Sequence, residues 1–563
     1  MPTVGFRRWT TRAGWLAPAL LVAGLLAVPS GAAQAVPATT RELKPTFTSA
    51  AAFDRSPPLR DLARHAARQA TTTALPPERG AAVADTGFTG DAAVQSSAGG
   101  LAATAIAPPA LTFEGLANAN NVRLVSPPDP VGDVGPNHYV EMVNLVFAVY
   151  SKTGTRLLGP LRLGTLWQGF EVPDCAGNAG DPVVLYDQMA DRWILTQFTA
   201  AGPVFFNCVA VSATPDPTGA YFRYAFSSGV NFPDYPKYGV WPDAYFLSAR
   251  EFAPDDSFAG IGAYALERHK MLDGNPGARM VKFLLTPGNT PYLPGDGLLP
   301  SDLDGNRPPP AGSPNFFVGT MDNGAQYDAP FDALNIFQYS VSWSASPTAS
   351  FALTAQLPVA GFDSIYPCGR SPSTTRDCIP QPDTTNKLDI LSYRQRPTWR
   401  LAYRNFGTHE ALVTNQSVEA RPGVAGVRWY EIRSPADHPF VFQQGTYAPD
   451  DGVNRWMGSV AEDKNGSMAL GFSVSSETVH PGIRYTGRLQ SDPLGEMAQG
   501  EGVVIDGTGS QLGPSSRWGD YTSMNVDPTD DCTFWYVNEY YQTSSAVGWQ
   551  TRIASLRLPG CPG

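Results

Sequence analysis

The feature that most constrains the fold is a hairpin unit that recurs along the chain. Each unit has a strand, a turn with Asp, Gly or Pro, and a second strand in which apolar and polar residues alternate. The clearest examples are VGDVGPNHYVEMVN (131–144), VVLYDQMADRWILTQF (183–198), YGVWPDAYFLSARE (238–251), SVAEDKNGSMALGFSV (459–474) and SMNVDPTDDCTFWYVN (523–538). With less regular segments at 315–341 and 388–415, the pattern predicts seven units beginning near residues 131, 183, 238, 315, 388, 459 and 523.

Seven such units predict an all-β fold, a seven-bladed β-propeller, in which sheets repeated around an axis leave only short edges. Composition agrees with many short strands and turns, because the 563 residues include 55 Gly and 52 Pro and only 16% are charged. A β-sandwich followed by a second domain is the alternative that the irregular spacing leaves open.

The amino-terminal part divides into two segments before the propeller. Residues 1–35 have the pattern of an export signal, with Arg7 and Arg8, the apolar run LAPALLVAGLLAV, and a small-residue cleavage site ending at Ala35. Residues 36–110 are rich in Ala, Thr, Ser and Pro, which predicts a flexible leader or pro-segment with one short helix at 59–69. The propeller domain is expected over 111–563, in a secreted, extracellular protein whose export route stays open.

Six cysteines suit an oxidising compartment, where an even count predicts disulfides. Fifteen pairings are possible, and proximity along the chain favours three of them. The favoured pairs are Cys175 with Cys208, Cys368 with Cys378, and Cys532 with Cys561. A metal cluster is the competing interpretation, although the sequence lacks C-x-x-C and its histidines are scattered.

Charge and hydropathy narrow the partners. The formal net charge is −11 and no basic run remains after the signal, so a nucleic acid partner is not expected. No later stretch approaches the length of an apolar membrane span, and we expect a monomer without a cofactor. One calcium alternative remains: Asp302, Asp304 and Asn306 alternate as at the start of a Ca²⁺ loop, without the distal glutamate of such loops.

Two motifs, GDPVVLYDQMADRW (180–193) and RWGDYTSMNVDPTDDCTFWYVNEYY (517–541), carry a resemblance to a family of secreted bacterial proteins. That resemblance implies secretion but no particular activity. More remotely, the turns at Asp463–Gly466 and Asp527–Trp535 are similar to degenerate Asp-boxes of sialidase-type β-propellers. Because the strict Asp-box spacing is absent, this second resemblance implies a fold and not a function.

The sialidase resemblance would imply three arginines that grip a carboxylate, a Tyr–Glu nucleophilic pair and an aspartic acid proton donor. Arg404, Arg484 and Arg517 lie in three different late units, and Glu539 adjoins Tyr540. The motif positions are not matched, and each residue also has a structural interpretation. In particular, neighbouring residues of a strand such as Glu539 and Tyr540 point to opposite faces.

Other candidates come from local pattern alone. Asp520 and Tyr521 follow Gly519 at a strand start, where a close backbone approach delivers a carboxylate and a phenol toward the ring axis. His409, beside Glu410, is a second candidate because an imidazole shuttles protons near neutral pH, against the alternative of a loop histidine bound to backbone.

We therefore hypothesise that this is a β-propeller that binds an extracellular glycan or surface polymer. One alternative is a sialidase-like glycoside hydrolase or polysaccharide lyase, and another is a non-catalytic extracellular interaction scaffold. Tryptophans spread through the units have two interpretations: they stack on sugar rings in a groove, or they pack between blades. These tryptophans are Trp167, Trp193, Trp241, Trp429, Trp456, Trp518 and Trp535.

Overall fold

The computed structural model describes most of the region after the signal. Its described residues are 1, 2, 5, 43–65, 90–95, 106–288, 290, 292–324, 329–364, 377–390 and 395–561. The predicted export signal therefore lies almost wholly outside the described residues, as does Cys368. No helix in the described part of the chain is long and apolar enough to span a bilayer.

Seven four-stranded antiparallel units, or blades, form the body of the described chain; two of them gain a fifth strand, and two are joined into one eight-stranded sheet. Blade 1 contains β4 (Val131–Val134), β5 (His138–Val143), β6 (Val146–Ser151) and β7 (Arg156–Arg162). Blade 2 contains β8 (Val183–Asp187), β9 (Arg192–Phe198), β10 (Phe205–Ser212) and β11 (Tyr221–Gly229). Blade 3 contains β12 (Phe232–Val240), β13 (Ala244–Phe252), β14 (Phe258–Glu267) and β15 (Arg279–Leu285).

The later blades follow the same plan. Blade 4 contains β16 (Leu299–Asp304), β17 (Asn315–Met321), β18 (Ala333–Ser342) and β19 (Thr348–Pro358). Blade 5 contains β22 (Thr398–Asn405), β23 (Glu410–Arg421), β24 (Val424–Arg433) and β25 (Phe440–Tyr447). Blade 6 contains β26 (Asn454–Glu462), β27 (Met468–Ser475), β28 (Gly482–Arg488) and β29 (Glu501–Ile505). Blade 7 contains β30 (Ser523–Val526), β31 (Thr533–Tyr540), β32 (Gln550–Arg557) and the earlier strand β3 (Leu111–Ala117).

Short elements connect the blades. They are α1 (Leu59–His65), α2 (Arg268–Leu272), the 3₁₀ helices Asn118–Asn120, Leu163–Trp167 and Pro173–Gly177, and the two-stranded pair β20 (Asp377–Ile379) and β21 (Leu388–Asp389).

The first strand of each blade lies innermost, and these seven strands contact one another in cyclic order. The ring is a seven-bladed β-propeller, which confirms the predicted fold class. In blades 4 and 5 the innermost strands even pair in parallel, with Ser301 opposite Leu401. We call the face at which the innermost strands begin the upper face, and the opposite face the lower face.

Ring closure uses strands from both sides of the propeller sequence. β3 pairs with β32, so that a strand that precedes blade 1 completes blade 7. The Cys532–Cys561 disulfide, with a Cα–Cα distance of 5.7 Å, ties the last hairpin to the chain end. The Cys175–Cys208 disulfide is also present, so two of the favoured pairings are confirmed.

Part of the leader differs from the expected flexible segment. β1 (Thr46–Ser49) and β2 (Ala52–Arg55) add fifth strands to blades 3 and 2, and α1 follows within the predicted helix at 59–69. Further along, Asp91 forms a fully buried ion pair with Arg428 of blade 5. All four residues of β1 are exposed, and the strand is held by backbone pairing with β15 at the outer edge of blade 3. Because no buried apolar face is needed for this pairing, the sequence of β1 has no pattern that predicts a strand.

The tryptophans named above are buried, with at most 3% of each exposed. Tyr139 of blade 1 stacks on Trp535 of blade 7 at 5.3 Å between centroids, and Trp456 of blade 6 contacts Trp518 near blade 7 at 5.6 Å. These rings therefore pack within and between blades, and none of the seven lines an open sugar groove.

Candidate functional site

The upper face begins with unusual backbone at three successive blades. Asp129, Asp181 and Tyr235 have φ angles of 49°, 43° and 53°, in the left-handed region that side chains other than glycine rarely adopt. Each stands directly before a proline at the innermost strand of its blade. Strained residues persist where the surrounding structure over-determines them, and they cluster at functional sites.

Hydrogen bonds join these residues into a closed circuit around the upper mouth of the ring. The Asp520 N–H donates to Asp129 Oδ1 at 2.6 Å, and Asn144 Nδ2 donates to Asp129 Oδ2 at 2.8 Å. The Asp181 N–H donates to Asn144 Oδ1 at 3.0 Å, and the Tyr235 N–H donates to Asp181 Oδ2 at 3.2 Å. The Tyr235 hydroxyl completes the circuit by donating to the Asp520 carbonyl at 3.3 Å. Side chains and backbone of blades 7, 1, 2 and 3 are thus held in one fixed arrangement, which we call the carboxylate circuit.

Lys237 lies against the carboxylate circuit between two tyrosines. Its Nζ is 3.4 Å from the ring centroid of Tyr235 and 3.8 Å from that of Tyr521, and it donates to the Pro236 carbonyl at 3.0 Å. The Arg396 guanidinium from blade 5 also lies over the Tyr235 ring, at 3.7 Å. Cation–π contacts of this kind hold buried cations in place.

Burial perturbs the titration of this cluster. Desolvation, followed by repulsion from Asp520, raises the pKa of Asp129 to about 7. Desolvation and the Asp129 carboxylate raise the pKa of Asp181 well above its usual value. Desolvation lowers the pKa of Lys237 to about 7, against the attraction of Asp181. Groups whose pKa values are displaced by burial together with a charged neighbour are common at functional sites.

Ion pairs border the carboxylate circuit. Arg517 Nη2 lies 2.5 Å from Asp520 Oδ1, and Arg517 Nε lies 3.4 Å from Asp389 Oδ2. Arg250 lies between Asp234, at 3.6 Å, and Asp296, at 3.5 Å. The side chains of Arg517 and Asp520 retain 17% and 15% exposure, so this part of the border is accessible from solvent.

Four sequence-predicted residues meet here. Arg517, Asp520 and Tyr521 lie in or beside the carboxylate circuit, and the Tyr521 hydroxyl donates to the Pro182 carbonyl at 2.9 Å. Glu539 lies beneath them, fully buried, and accepts a hydrogen bond from the Gly519 N–H. A Cβ at Gly519 would lie 2.8 Å from Glu539 Oε1, so glycine is required for this approach. Desolvation raises the pKa of Glu539 well above its usual value.

The other predicted residues lie elsewhere. Arg404 is at the lower face, where it pairs with Asp531 at 2.8 Å, and Arg484 is on an outer strand, where it pairs with Glu501 at 3.0 Å. Arg404, Arg484 and Arg517 therefore do not converge as the sialidase resemblance implied. Glu539 and Tyr540 do face apart, since the Tyr540 hydroxyl reaches Glu114.

His409 lies in a separate cavity of about 330 Å³ at the lower face. Its ring stacks on Phe406 at 4.7 Å, and its Nδ1 lies 3.1 Å from the Thr408 hydroxyl. Desolvation lowers its pKa, which favours the neutral imidazole. His409 is therefore not part of the carboxylate circuit.

Asp302 and Asp304, which resemble the start of a Ca²⁺ loop in the sequence, lie in a strand and not in a loop. Asp302 and Asp304 alternate because they belong to strand β16, and both bind the buried Arg400 guanidinium, at 3.0 and 2.6 Å. Asn306 lies exposed just beyond that strand. Among the described residues, no three His, Cys, Asp or Glu side chains are grouped so as to hold a metal ion.

Asp129, Asp181, Tyr235 and Lys237 are not among the residues that the sequence patterns predict for a site. Part of this group has a sequence signal, because the dipeptides at 129–130 and 181–182 place a proline directly before an innermost strand. A residue before proline is pushed out of the helical region, and at these two positions it marks the strand start. The dipeptide at 235–236 instead lies within β12, at a register shift of that strand. Only the ring brings these three positions together.

Comparisons with known proteins give structural likenesses only. No family model and no curated protein sequence matches the chain. An α-L-arabinofuranosidase from Fusarium graminearum, bound to an iminosugar inhibitor, is similar over 81% of this chain and 99% of its own, at 8% identity and a TM-score of 0.35. A Hadza microbial sialidase is similar over 76% of this chain and 74% of its own, at 10% identity and a TM-score of 0.33. A polysaccharide lyase, an ulvan lyase bound to a saccharide, is similar over 84% of this chain and 96% of its own, at 10% identity and a TM-score of 0.31.

Proposed function

We propose that this protein is a secreted β-propeller that binds an extracellular glycan at the mouth of the ring on the upper face. The observation that carries the proposal is the carboxylate circuit, which holds Asp181 and Asp520 in fixed positions and leaves the Asp520 side chain 15% exposed. Fixed carboxylates beside a guanidinium suit a polyol, since hydroxyl groups donate to the former and accept from the latter.

The mode of recognition differs from simple ring stacking. Tyr235 and Tyr521 are buried and have the Lys237 amino group over their rings, so these ring faces are already covered. Recognition therefore rests on hydrogen bonds to hydroxyl groups, with Asp520 and Arg517 at the accessible border. Groups already held in place lower the entropic penalty of binding.

A glycan array with the purified, signal-free protein tests this proposal. We expect the protein to bind a defined set of oligosaccharides, and Asp520→Asn to weaken that binding by about tenfold or more, since a charge-assisted hydrogen bond contributes about 1.5–3 kcal/mol. The matched control is Asp531→Asn, because Asp531 belongs to the same blade but pairs with Arg404 at the lower face.

The outcomes are distinct. Binding lost in Asp520→Asn and kept in Asp531→Asn supports the upper face. An array without any bound glycan argues against the function, and equal losses in both variants argue against this location.

A further inference from the structure

The leader contributes strands and a core residue to the outside of the propeller. β1 pairs with β15 of blade 3, where Thr46 lies opposite Lys282, and β2 pairs with β11 of blade 2, where Ala52 lies opposite Ala225. In α1, which follows, Leu59 is fully buried and belongs to the main apolar core. Segments that precede a domain are usually poorly ordered unless such contacts tie them down. This part of the leader is therefore built into blades 2 and 3.

An ion pair fixes β2 to blade 2. Arg223 of β11 is 2% exposed, and its Nε donates to Asp54 Oδ1 at 2.6 Å. Its Nη2 donates to the other carboxylate oxygen of Asp54, and its Nη1 donates to the Leu166 carbonyl at 2.8 Å. Because two parallel hydrogen bonds from a guanidinium to a carboxylate fix the geometry as well as adding energy, β2 is held in one register on β11.

A second ion pair fixes the leader to blade 5. Asp91 Oδ1 and Arg428 Nη2 are 2.6 Å apart, and both side chains are fully buried. Asp91 Oδ2 accepts from the Thr446 hydroxyl at 2.8 Å, and Arg428 Nη1 donates to the Ala360 carbonyl at 2.9 Å. We call Asp91, Arg428 and Thr446 the latch. Because the two charged side chains are excluded from water, each charge depends on the other for compensation.

Hydrogen bonds beside the latch reach three blades. The Ala92 N–H donates to the carbonyl of Gly361, just after blade 4, at 3.0 Å, and the Gln95 N–H donates to the Thr446 carbonyl of blade 5 at 3.1 Å. The N–H of Met497, between β28 and β29 of blade 6, donates to Gln95 Oε1 at 3.1 Å. The groove that receives residues 90–95 therefore forms only when blades 4, 5 and 6 have come together.

We propose that the leader is a permanent strap, which docks on the assembled propeller and is kept in the mature protein instead of being removed as a pro-segment. The strap comprises the described residues 43–65 and 90–95, and the proposal is independent of glycan binding. Removal of the strap would expose the core around Leu59 and leave Arg428 without its counter-charge, and both changes destabilise the folded propeller. The strap contacts the outer strands β11, β15 and β25, so it leaves the carboxylate circuit at the innermost strands uncovered.

Hydrogen exchange read by mass spectrometry on the signal-free protein tests whether the strap is docked. In the wild type, β1, β2 and residues 90–95 should exchange at least about 100-fold more slowly than the same sequences in an unfolded chain, because their N–H groups bond to blade carbonyls. Asp91→Asn removes the charge that compensates Arg428, so the exchange of residues 90–95 should rise by about 100-fold. The reference segment is β31 of blade 7, whose exchange should not change.

The matched control is Asp61→Asn. Asp61 also belongs to the strap, but it pairs with Arg64 at 3.2 Å on the exposed side of α1. Because an exposed ion pair contributes little stability, residues 90–95 should exchange in this variant as they do in the wild type. Three results would overturn the strap: exchange of its segments at the unfolded rate in the wild type, equal increases in the two variants, or an increase in β31 as large as that in residues 90–95.

Protease digestion of the native wild-type protein tests whether the strap is part of the stable fold. A broad-specificity protease is expected either to leave residues 43–65 uncut or to leave them bound to the propeller on gel filtration. If digestion does remove them, the remaining propeller should unfold at a lower temperature than the intact protein. A propeller that loses these residues and unfolds at an unchanged temperature would overturn the strap and identify a removable pro-segment.

Discussion

The two ends of the innermost strands differ in the charged groups that they bury. At the lower face Asp187 pairs with Arg268 at 2.6 Å, and Asp531 pairs with Arg404 at 2.8 Å. At the upper face desolvation, followed by repulsion from the Asp129 and Asp234 carboxylates, raises the pKa of Asp181. Because crowded like charges destabilise a folded chain, this difference supports the proposal that the upper face is the binding face.

In the middle of the ring a buried arginine is also paired with carboxylates, as at the lower face. Arg400, 1% exposed, binds Asp302 and both oxygens of Asp304, and it also donates to the Met524 carbonyl. This cluster joins blades 4, 5 and 7 across the axis. Removing one partner of such a buried ion pair strongly destabilises the folded state, because the remaining charges stay desolvated without a counter-charge.

The largest effect that we expect is on stability, from Arg400→Met. Removal of the guanidinium leaves Asp302 and Asp304 without their cation, and the free energy of unfolding should fall by about 3–5 kcal/mol. Urea unfolding measures this change. Arg484→Met is the control: its partly exposed outer-strand ion pairs should contribute about 0–1 kcal/mol, and equal losses in the two variants would contradict the distinction.

A second prediction concerns pH and the upper face. The pKa of Lys237 is lowered from 10.5 to about 7, so the folded state binds its proton less readily than the unfolded state does. The stability that Lys237 contributes is therefore fully present above about pH 10.5 and is lost as the pH falls toward 7. As the pH falls from 10.5 to 7, Lys237→Met should therefore become increasingly more stable than the wild type, and below pH 7 the difference should level off.

Thermal unfolding of both proteins between pH 7 and 10.5 checks the prediction. The wild type at the alkaline end provides the internal reference. A difference between the two proteins that stays constant from pH 7 to 10.5 would mean that burial does not disfavour the protonated form of Lys237.

The smallest effect should come from His409→Ala. The imidazole lies in the lower-face cavity and stacks on Phe406, away from the carboxylate circuit. Truncation of a partly exposed surface ring should change the free energy of unfolding by about 0.5 kcal/mol or less and leave glycan binding intact. A loss of binding like that of Asp520→Asn would place the functional site at the lower face instead.

Local pattern was sufficient for the blade count and for part of the site. Six of the seven predicted unit positions lie within about ten residues of the observed innermost strands, because each hairpin carries its own turn and alternation. The repeat pattern predicts that blade 4 begins near 315, although its innermost strand begins at Leu299. That strand, LPSDLD, has two aspartates that are buried against Arg400, nearly a hundred residues away in the chain.

The difference between local pattern and contacts distant in sequence also explains which site residues can be predicted from the sequence. Arg517, Asp520, Tyr521 and Glu539 belong to one blade, so proximity along the chain already groups them. Asp129, Asp181 and Lys237 come from the first three blades and join them only when the ring closes through β3 and β32. A carboxylate before a proline looks like an ordinary turn residue until its neighbours across the axis are known.

The amino-acid sequence by itself determined that this chain forms repeated β hairpins, that they number seven, and that two disulfides join cysteines near in sequence, because these properties depend on local spacing. The tertiary structure alone decided which charges become paired and which remain crowded. Burial and the distance between blades set those interactions, and both are products of ring closure rather than of any single segment.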